Sequence, residues 1–110
     1  MSQIDTALLV QNMLAAVKQV LQLHWSDVRS FAETEMQKLA ATAVLIETGQ
    51  ADDTISAAQA QILLSMQANA SQAVLTSIET VGMIAAQDAI NAAIQVLTTA
   101  VNKAVGFAIL

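Results

Sequence analysis

Between Thr54 and Ala108 the chain carries only three charges, Glu79, Asp88 and Lys103, and more than half of its residues are Ala, Val, Ile, Leu or Met. The polar side chains in this stretch fall at Gln61, Ser65, Asn69, Gln72, Thr76, Glu79 or Thr80, Gln87, Asn91, Gln95, Thr98 and Asn102. Steps of three and four are helical spacing. The polar stripe they form is narrow. Opposite it run Leu63, Ala70, Val74, Ile78, Val81, Ala85, Ala89, Ala93, Ala100 and Ala104. A helix that is apolar over most of its circumference has to be covered by neighbours, so this stretch decides what the rest of the chain must do.

The first half offers limited cover. Charged residues are 12% of the 110-residue chain, against roughly 25% in ordinary soluble domains, and the mean hydropathy is +0.56. Burying a Leu or Ile side chain is worth about 1.5 to 3 kcal/mol. An apolar excess of this size therefore favours a second copy, a partner or a lipid. The expectation is a homo-oligomer or filament-like assembly of a small structural or interaction protein, with the protein itself as its partner. The alternative is a membrane-active or pore-forming helical protein that presents Val81 to Leu110 to a bilayer.

Charge narrows the partners further. A net charge of −5 with Lys18, Arg29, Lys38 and Lys103 scattered along the chain argues against nucleic acid, whose phosphates need clustered cations. The same sign disfavours anionic lipid. Absence of cysteine removes disulfides and thiolate metal sites. The start Met1-Ser2-Gln3-Ile4-Asp5 lacks a basic region of the secretory kind. No run of about 18 residues is free of strongly polar side chains, as an orthodox transmembrane helix requires. A cytoplasmic product is the expectation, with a membrane the less favoured environment.

The spacing predicts one all-α domain over residues 1–110. Arm one covers 4–48, a turn 48–53, and arm two 54–108. In arm one Ile4, Leu8, Leu9, Met13, Ala16, Val17, Val20 and Leu21 make a broad apolar face, and Asp5 near its start suits the helix dipole. His24-Trp25-Ser26-Asp27 offers a break with Ser26 as a cap. The polar phase nevertheless continues past it through Arg29, Glu33 and Gln37. Residues 26–47 hold Asp27, Arg29, Glu33, Glu35, Lys38 and Glu47 and read as a solvated face, with Glu35 and Lys38 paired at three-residue spacing.

Thr48-Gly49-Gln50-Ala51-Asp52-Asp53 is the one plain interruption. Gly49 suits a left-handed helix end, and Asp52 or Asp53 a new cap. The favoured architecture is an antiparallel helical hairpin with long arms. A four-helix bundle results instead if the arms fold near Trp25 and Gly82. A straight second arm would span roughly 80 Å at 1.5 Å per residue. Gly82 costs only about 1 kcal/mol inside a helix, so the balance falls on the straight arm.

Alanines at four-residue spacing allow the closest backbone approach. The expected assembly interface is therefore Ala85, Ala89 and Ala93, then Ala100, Ala104 and Ala108, with Gly82 and Ala86 as a further small pair. Enlarging Ala89 or Ala100 to Leu is expected to disturb association more than enlarging Ala41. Glu79 and Asp88 interrupt apolar runs and are the candidate buried carboxylates, where desolvation would suit proton or metal chemistry. The plainer reading places both on the polar stripe. His24 is the only histidine, and Leu21 stands where a Glu-x-x-His di-metal motif needs Glu. Met1, Met13, Met36, Met66 and Met83 are dispersed as core-filling residues are. No catalytic residue, metal ligand or cofactor is expected, and the chain is read as no enzyme.

Overall fold

Helix α1 (Thr6–Leu21) starts on Asp5, whose carboxylate accepts the Leu8 N–H at 3.1 Å. Such a cap satisfies one of the backbone donors that a helix start leaves open. Leu9, Met13, Val17 and Leu21, each four residues apart, form its buried face. These positions belong to a computed structural model that describes residues 3–106 and 108–110.

Arm one does not stay straight. The chain reverses through a 3₁₀ turn, Gln22–His24, into helix α2 (Trp25–Ala51). Gln22 takes φ 42 there, in the left-handed half of φ space that is unfavourable for a residue with a Cβ. Neither Gly nor Pro announces the turn. Burial is what fixes it. A single helix over both segments would extend about 70 Å and leave the α1 stripe bare, whereas reversal places Leu21 and Val28 in one core. Ser26 lies inside α2 and does not cap it; the N-cap position is His24, with no side-chain bond.

Helix α2 continues through Gly49, which is helical and not left-handed. Its role is close approach: a Cβ at Gly49 would run into the Ile55 side chain. The Gly49 carbonyl accepts the N–H groups of Thr54 and Ile55 at 2.8 and 3.1 Å. The left-handed residue is Asp53, φ 58, one of the few side-chain types that tolerates this region. Helix α3 (Ala57–Thr76) is capped by Ser56 and not by Asp52 or Asp53. Ser56 Oγ accepts from Gln59 N at 3.1 Å while Gln59 Oε1 accepts from Ser56 N at 2.8 Å, a reciprocal capping box.

Arm two folds as well. Residues 77–81 form a turn, and Gly82 follows with φ +75 and open space where a Cβ would sit. The glycine is thus used for its conformation, and the straight arm gives way to a separate helix α4 (Gly82–Val105). Gly106, φ 94, closes α4 and donates its N–H to the Asn102 carbonyl at 2.9 Å. The end of the chain turns back. Asn102 Oδ1 accepts from Ile109 N and Leu110 N at 3.0 and 3.2 Å, Gln61 Nε2 donates to the Ile109 carbonyl at 3.2 Å, and the Ile109 side chain is buried.

Every regular element among the described residues is a helix, as the sequence spacing predicts. Long-range bonds fix their directions. Gln3 N donates to Glu47 Oε2 (2.8 Å), Ser71 Oγ to Glu35 Oε1 (2.9 Å) and Thr80 Oγ1 to Asp27 Oδ2 (3.3 Å), so successive helices run antiparallel. Helices α1 and α3 each pack on both α2 and α4, α2 also meets α4, and α1 does not meet α3. The longest dimension is 42 Å, which excludes an 80 Å hairpin. The radius of gyration, 13.7 Å, is near the value of about 13 Å expected for a compact domain of this length.

The close approach at Gly49 has a measurable consequence. Gly49→Ala should lower stability to urea by about 1 to 3 kcal/mol, because the new methyl group overpacks against Ile55. Gln22→Gly should be neutral or stabilising by up to about 1 kcal/mol, since it relieves a left-handed residue. An unchanged urea midpoint for Gly49→Ala would show that the Ile55 side chain does not press on position 49.

Candidate functional site

The alanines expected to face another copy divide in two. Ala89 and Ala93 are fully buried in the chain's own core, together with Ala86, Ile90, Leu97 and Val101 of α4. They are packing residues of one molecule and not an assembly interface. The reason is the fold at Gln22–His24 and at residues 77–81, which brings α1 and α2 over α4 and covers the face that a straight arm would leave open. Ala85, Ala100 and Ala104 are half-buried and Ala108 is exposed.

The carboxylates are also redistributed. Glu79, in the turn before α4, and Asp88, on α4, are both exposed and are not buried carboxylates. Buried instead are Glu35 and Glu47 of α2, which the charge pattern assigns to a solvated face. Glu35 is 3% exposed. Its Oε1 accepts from Ser71 Oγ at 2.9 Å and its Oε2 from Lys38 Nζ at 3.2 Å, and Ser71 Oγ in turn accepts from Gln67 Nε2 at 3.1 Å. The expected Glu35–Lys38 pair is therefore present. A buried carboxylate is tolerated when donors satisfy it, and here Ser71 reaches across from α3 to do so. This group ties α2 to α3. Arg29 and Glu33 form a second, exposed pair at 3.0 Å.

His24 is exposed in the turn before α2. Among the described residues no three His, Cys, Asp or Glu side chains stand together as a metal site. No helix is long and apolar enough there to cross a membrane. Met13 and Met36 fill the core, whereas Met66 and Met83 are exposed; Met1 lies outside the described residues.

Three surface features remain. The first is a groove of about 760 Å³ between the start of α1 and the end of α4. Leu8, Leu9, Val96, Ala100 and Ala104 give it an apolar lining; Asn12, Gln95 and Thr99 add uncharged polar groups, and Asp5 and Lys103 a charge of each sign. Ala100 and Ala104 are thus where two of the expected interface alanines become accessible.

The second feature is the outer face of α3. The buried residues of this helix are Ala60, Leu64, Ser71 and Leu75. At 100° per residue the direction opposite them is held by Ile62, Met66, Asn69 and Ala73, all exposed. Ile62 is 60% and Met66 63% exposed, and α3 contains no charged residue along its 20 positions. The absence of charge between Asp53 and Glu79 is the sequence signal for this face. It is obscured by the assumption that the apolar residues of arm two all lie on one side.

A third cluster of exposed apolar groups, Leu23, Met83 and Ile84, belongs to the tip where α1 turns into α2 and α3 into α4. The chain matches no family model, no curated protein and no solved structure.

These placements separate fold from surface. Ala89→Leu should lower stability by about 1 to 3 kcal/mol through core overpacking, and Ser71→Ala by about 1 to 3 kcal/mol through loss of a donor to buried Glu35. Glu79→Gln, Asp88→Asn and Ala41→Leu, all at exposed positions, should stay within about 0.5 kcal/mol. Chemical denaturation measures all five. A large loss at Asp88 with none at Ser71 would invert the assignment.

Proposed function

We propose that this chain is a non-enzymatic structural or interaction protein, an up-and-down four-helix subunit that associates with further copies of itself. The observation that carries the reading is the charge-free outer face of α3, with Ile62 and Met66 in solvent at its centre. An ordinary solvated helix face carries Lys and Glu. Here the net charge of −5 resides on other parts of the chain. Copies that meet along α3 bury apolar surface without bringing like charges together, which is the arrangement that electrostatic specificity favours. The Gln, Asn and Ser groups that flank Ile62 and Met66 suit hydrogen bonds between helices. The account differs from the sequence expectation in one respect: association adds to a core that the chain already fills, and does not complete it.

Light scattering coupled to chromatography tests this. The expected result is a mass above the 11.5 kDa of one chain that rises with concentration in the micromolar range. A single 11.5 kDa species at every concentration rules the reading out.

A second reading rests on the tip. Leu23 is 92% and Ile84 77% exposed, and such groups suit shallow insertion into a neutral bilayer interface. Val81 to Leu110 as a unit does not fit that role, because the apolar face of α4 lies inside the fold. Flotation with phosphatidylcholine vesicles separates the two readings: the tip reading predicts protein in the lipid fraction and its loss in Ile84→Glu. Recovery of the protein only in the lipid-free fraction removes it.

A further inference from the structure

We infer that the junction of the first turns of α3 with the last turn of α4 is a seat for a short aliphatic peptide segment, which residues 108–110 of this chain fill in cis as a releasable strap. The contacts that hold the strap are of the kind that hold a peptide ligand. Asn102 Oδ1 accepts from two successive main-chain donors, Ile109 N at 3.0 Å and Leu110 N at 3.2 Å, and Gln61 Nε2 donates to the Ile109 carbonyl at 3.2 Å. An amide oxygen has two lone pairs, and both are used. Bonds of this sort go to groups that every residue except proline offers. Selection therefore rests on the one side chain that is buried, Ile109, at 3% exposed.

The strap is local in its attachments. It follows Gly106, φ 94, where a Cβ would meet open space; the glycine serves the left-handed turn that ends α4 and not a close approach. From 108–110 the hydrogen bonds reach only Asn102 and Gln61. Ala108 is exposed and Leu110 half-buried. The other buried apolar residues of the core lie in the four helices, apart from Val81 just before α4. One buried side chain and three side-chain hydrogen bonds are a small share of what holds the bundle. Opening of the strap is then a sub-global event that leaves the helices folded.

Opening frees Asn102 Oδ1, Gln61 Nε2 and the apolar space of the Ile109 side chain together. What they take up in exchange is a segment of the same chemistry: two adjacent N–H groups, the carbonyl between them and an aliphatic side chain. Main-chain hydrogen bonds that hold, with a side-chain pocket that selects, are a recurring mode of peptide recognition. The docked strap competes with such a segment at an effective concentration in the millimolar range, as tethered ligands do, and so keeps the seat closed to weak binders. This reading stands apart from self-association through α3, because the seat uses neither Ile62 nor Met66.

Hydrogen exchange followed by NMR on the whole chain tests the release and needs no substitution. The Ile109 and Leu110 amides should exchange at least about tenfold more slowly than that of exposed Ala108, at rates that low urea leaves unchanged, whereas the Val101 amide should speed up as urea is added. Acceleration of Ile109 and Leu110 in step with Val101 would make the segment part of the global fold, and exchange as fast as at Ala108 would mean that no strap is docked; either overturns the inference. Ile109→Ser in the whole chain then tests the seat, with Ile109→Ala in its place if circular dichroism shows loss of helix. The acetylated and amidated peptide Gly-Phe-Ala-Ile-Leu, the sequence of residues 106–110, should shift the side-chain amide signals of Gln61 and Asn102 in the variant at concentrations about tenfold lower than in the unaltered chain. The same peptide with Ser for Ile should leave them in place. No shift in the variant, an equal response of variant and unaltered chain, or equal shifts with the two peptides overturns the seat.

Discussion

The fold depends on the seam along which α4 lies against α1 and α2. Ala86, Ala89 and Ala93 are fully buried in it, and side chains this small let helix backbones approach closely. Leu9, Met13, Val17 and Leu21 of α1, at strict four-residue spacing, supply the bulk that the alanines lack. Large residues on one helix set against small ones on the next are a way of reaching interior packing density without voids. The remaining elements then act as ties around this seam: the Gly49–Ile55 contact, the Ser71–Glu35 bond and the return of Ile109 onto α3 and α4.

What the seam leaves outside is as informative as what it encloses. A chain with this hydropathy cannot hide all its apolar groups in one core of this size, and burial has been spent on α1, α2 and α4. Helix α3 is held by the polar Glu35–Ser71 tie and by Ala60, Leu64 and Leu75, with Ile62 and Met66 on its far side. The most exposed of the surplus lies on the uncharged face of α3 and at the tip, Leu23, Ile62, Met66, Met83 and Ile84, while Leu8, Val20, Phe31 and Leu45 are exposed on α1 and α2. That distribution is what links the packing to the proposed association.

The break expected at 48–53 is present but displaced, because α2 runs on to Ala51 and the turn occupies residues 52–56. Helix class and the Glu35–Lys38 pair were legible from spacing alone. The two reversals were not, and for different reasons. At Gln22 the backbone adopts a left-handed conformation with a residue that does not prefer it; only tertiary burial of Leu21 and Val28 favours the turn, and a local pattern cannot report it. At Gly82 the residue type was suggestive, yet a glycine inside a helix and a glycine at φ +75 look alike in sequence. The Ser56–Gln59 capping box was present in the letters but stood behind the more conspicuous Gly49-Asp52-Asp53 run. Burial of Glu35 followed from Ser71, 36 residues away, a separation no helical periodicity spans. For the surface features, Ala100 and Ala104 of the groove could be picked out by spacing, whereas the exposed Ile62/Met66 face required knowing which side of α3 the core occupies.

The central claim is that one chain completes its own core and that association is added on top of it. Helix content and thermal unfolding, followed by circular dichroism while the protein is diluted until light scattering gives the mass of one chain, test it most directly. Cooperative unfolding with full helix content in that dilute monomer is the result predicted, because Ala89, Ala93, Leu97 and Val101 are covered from within. Loss of helix signal as the last oligomers dissociate would contradict the account, and would mean that neighbouring copies supply part of the core.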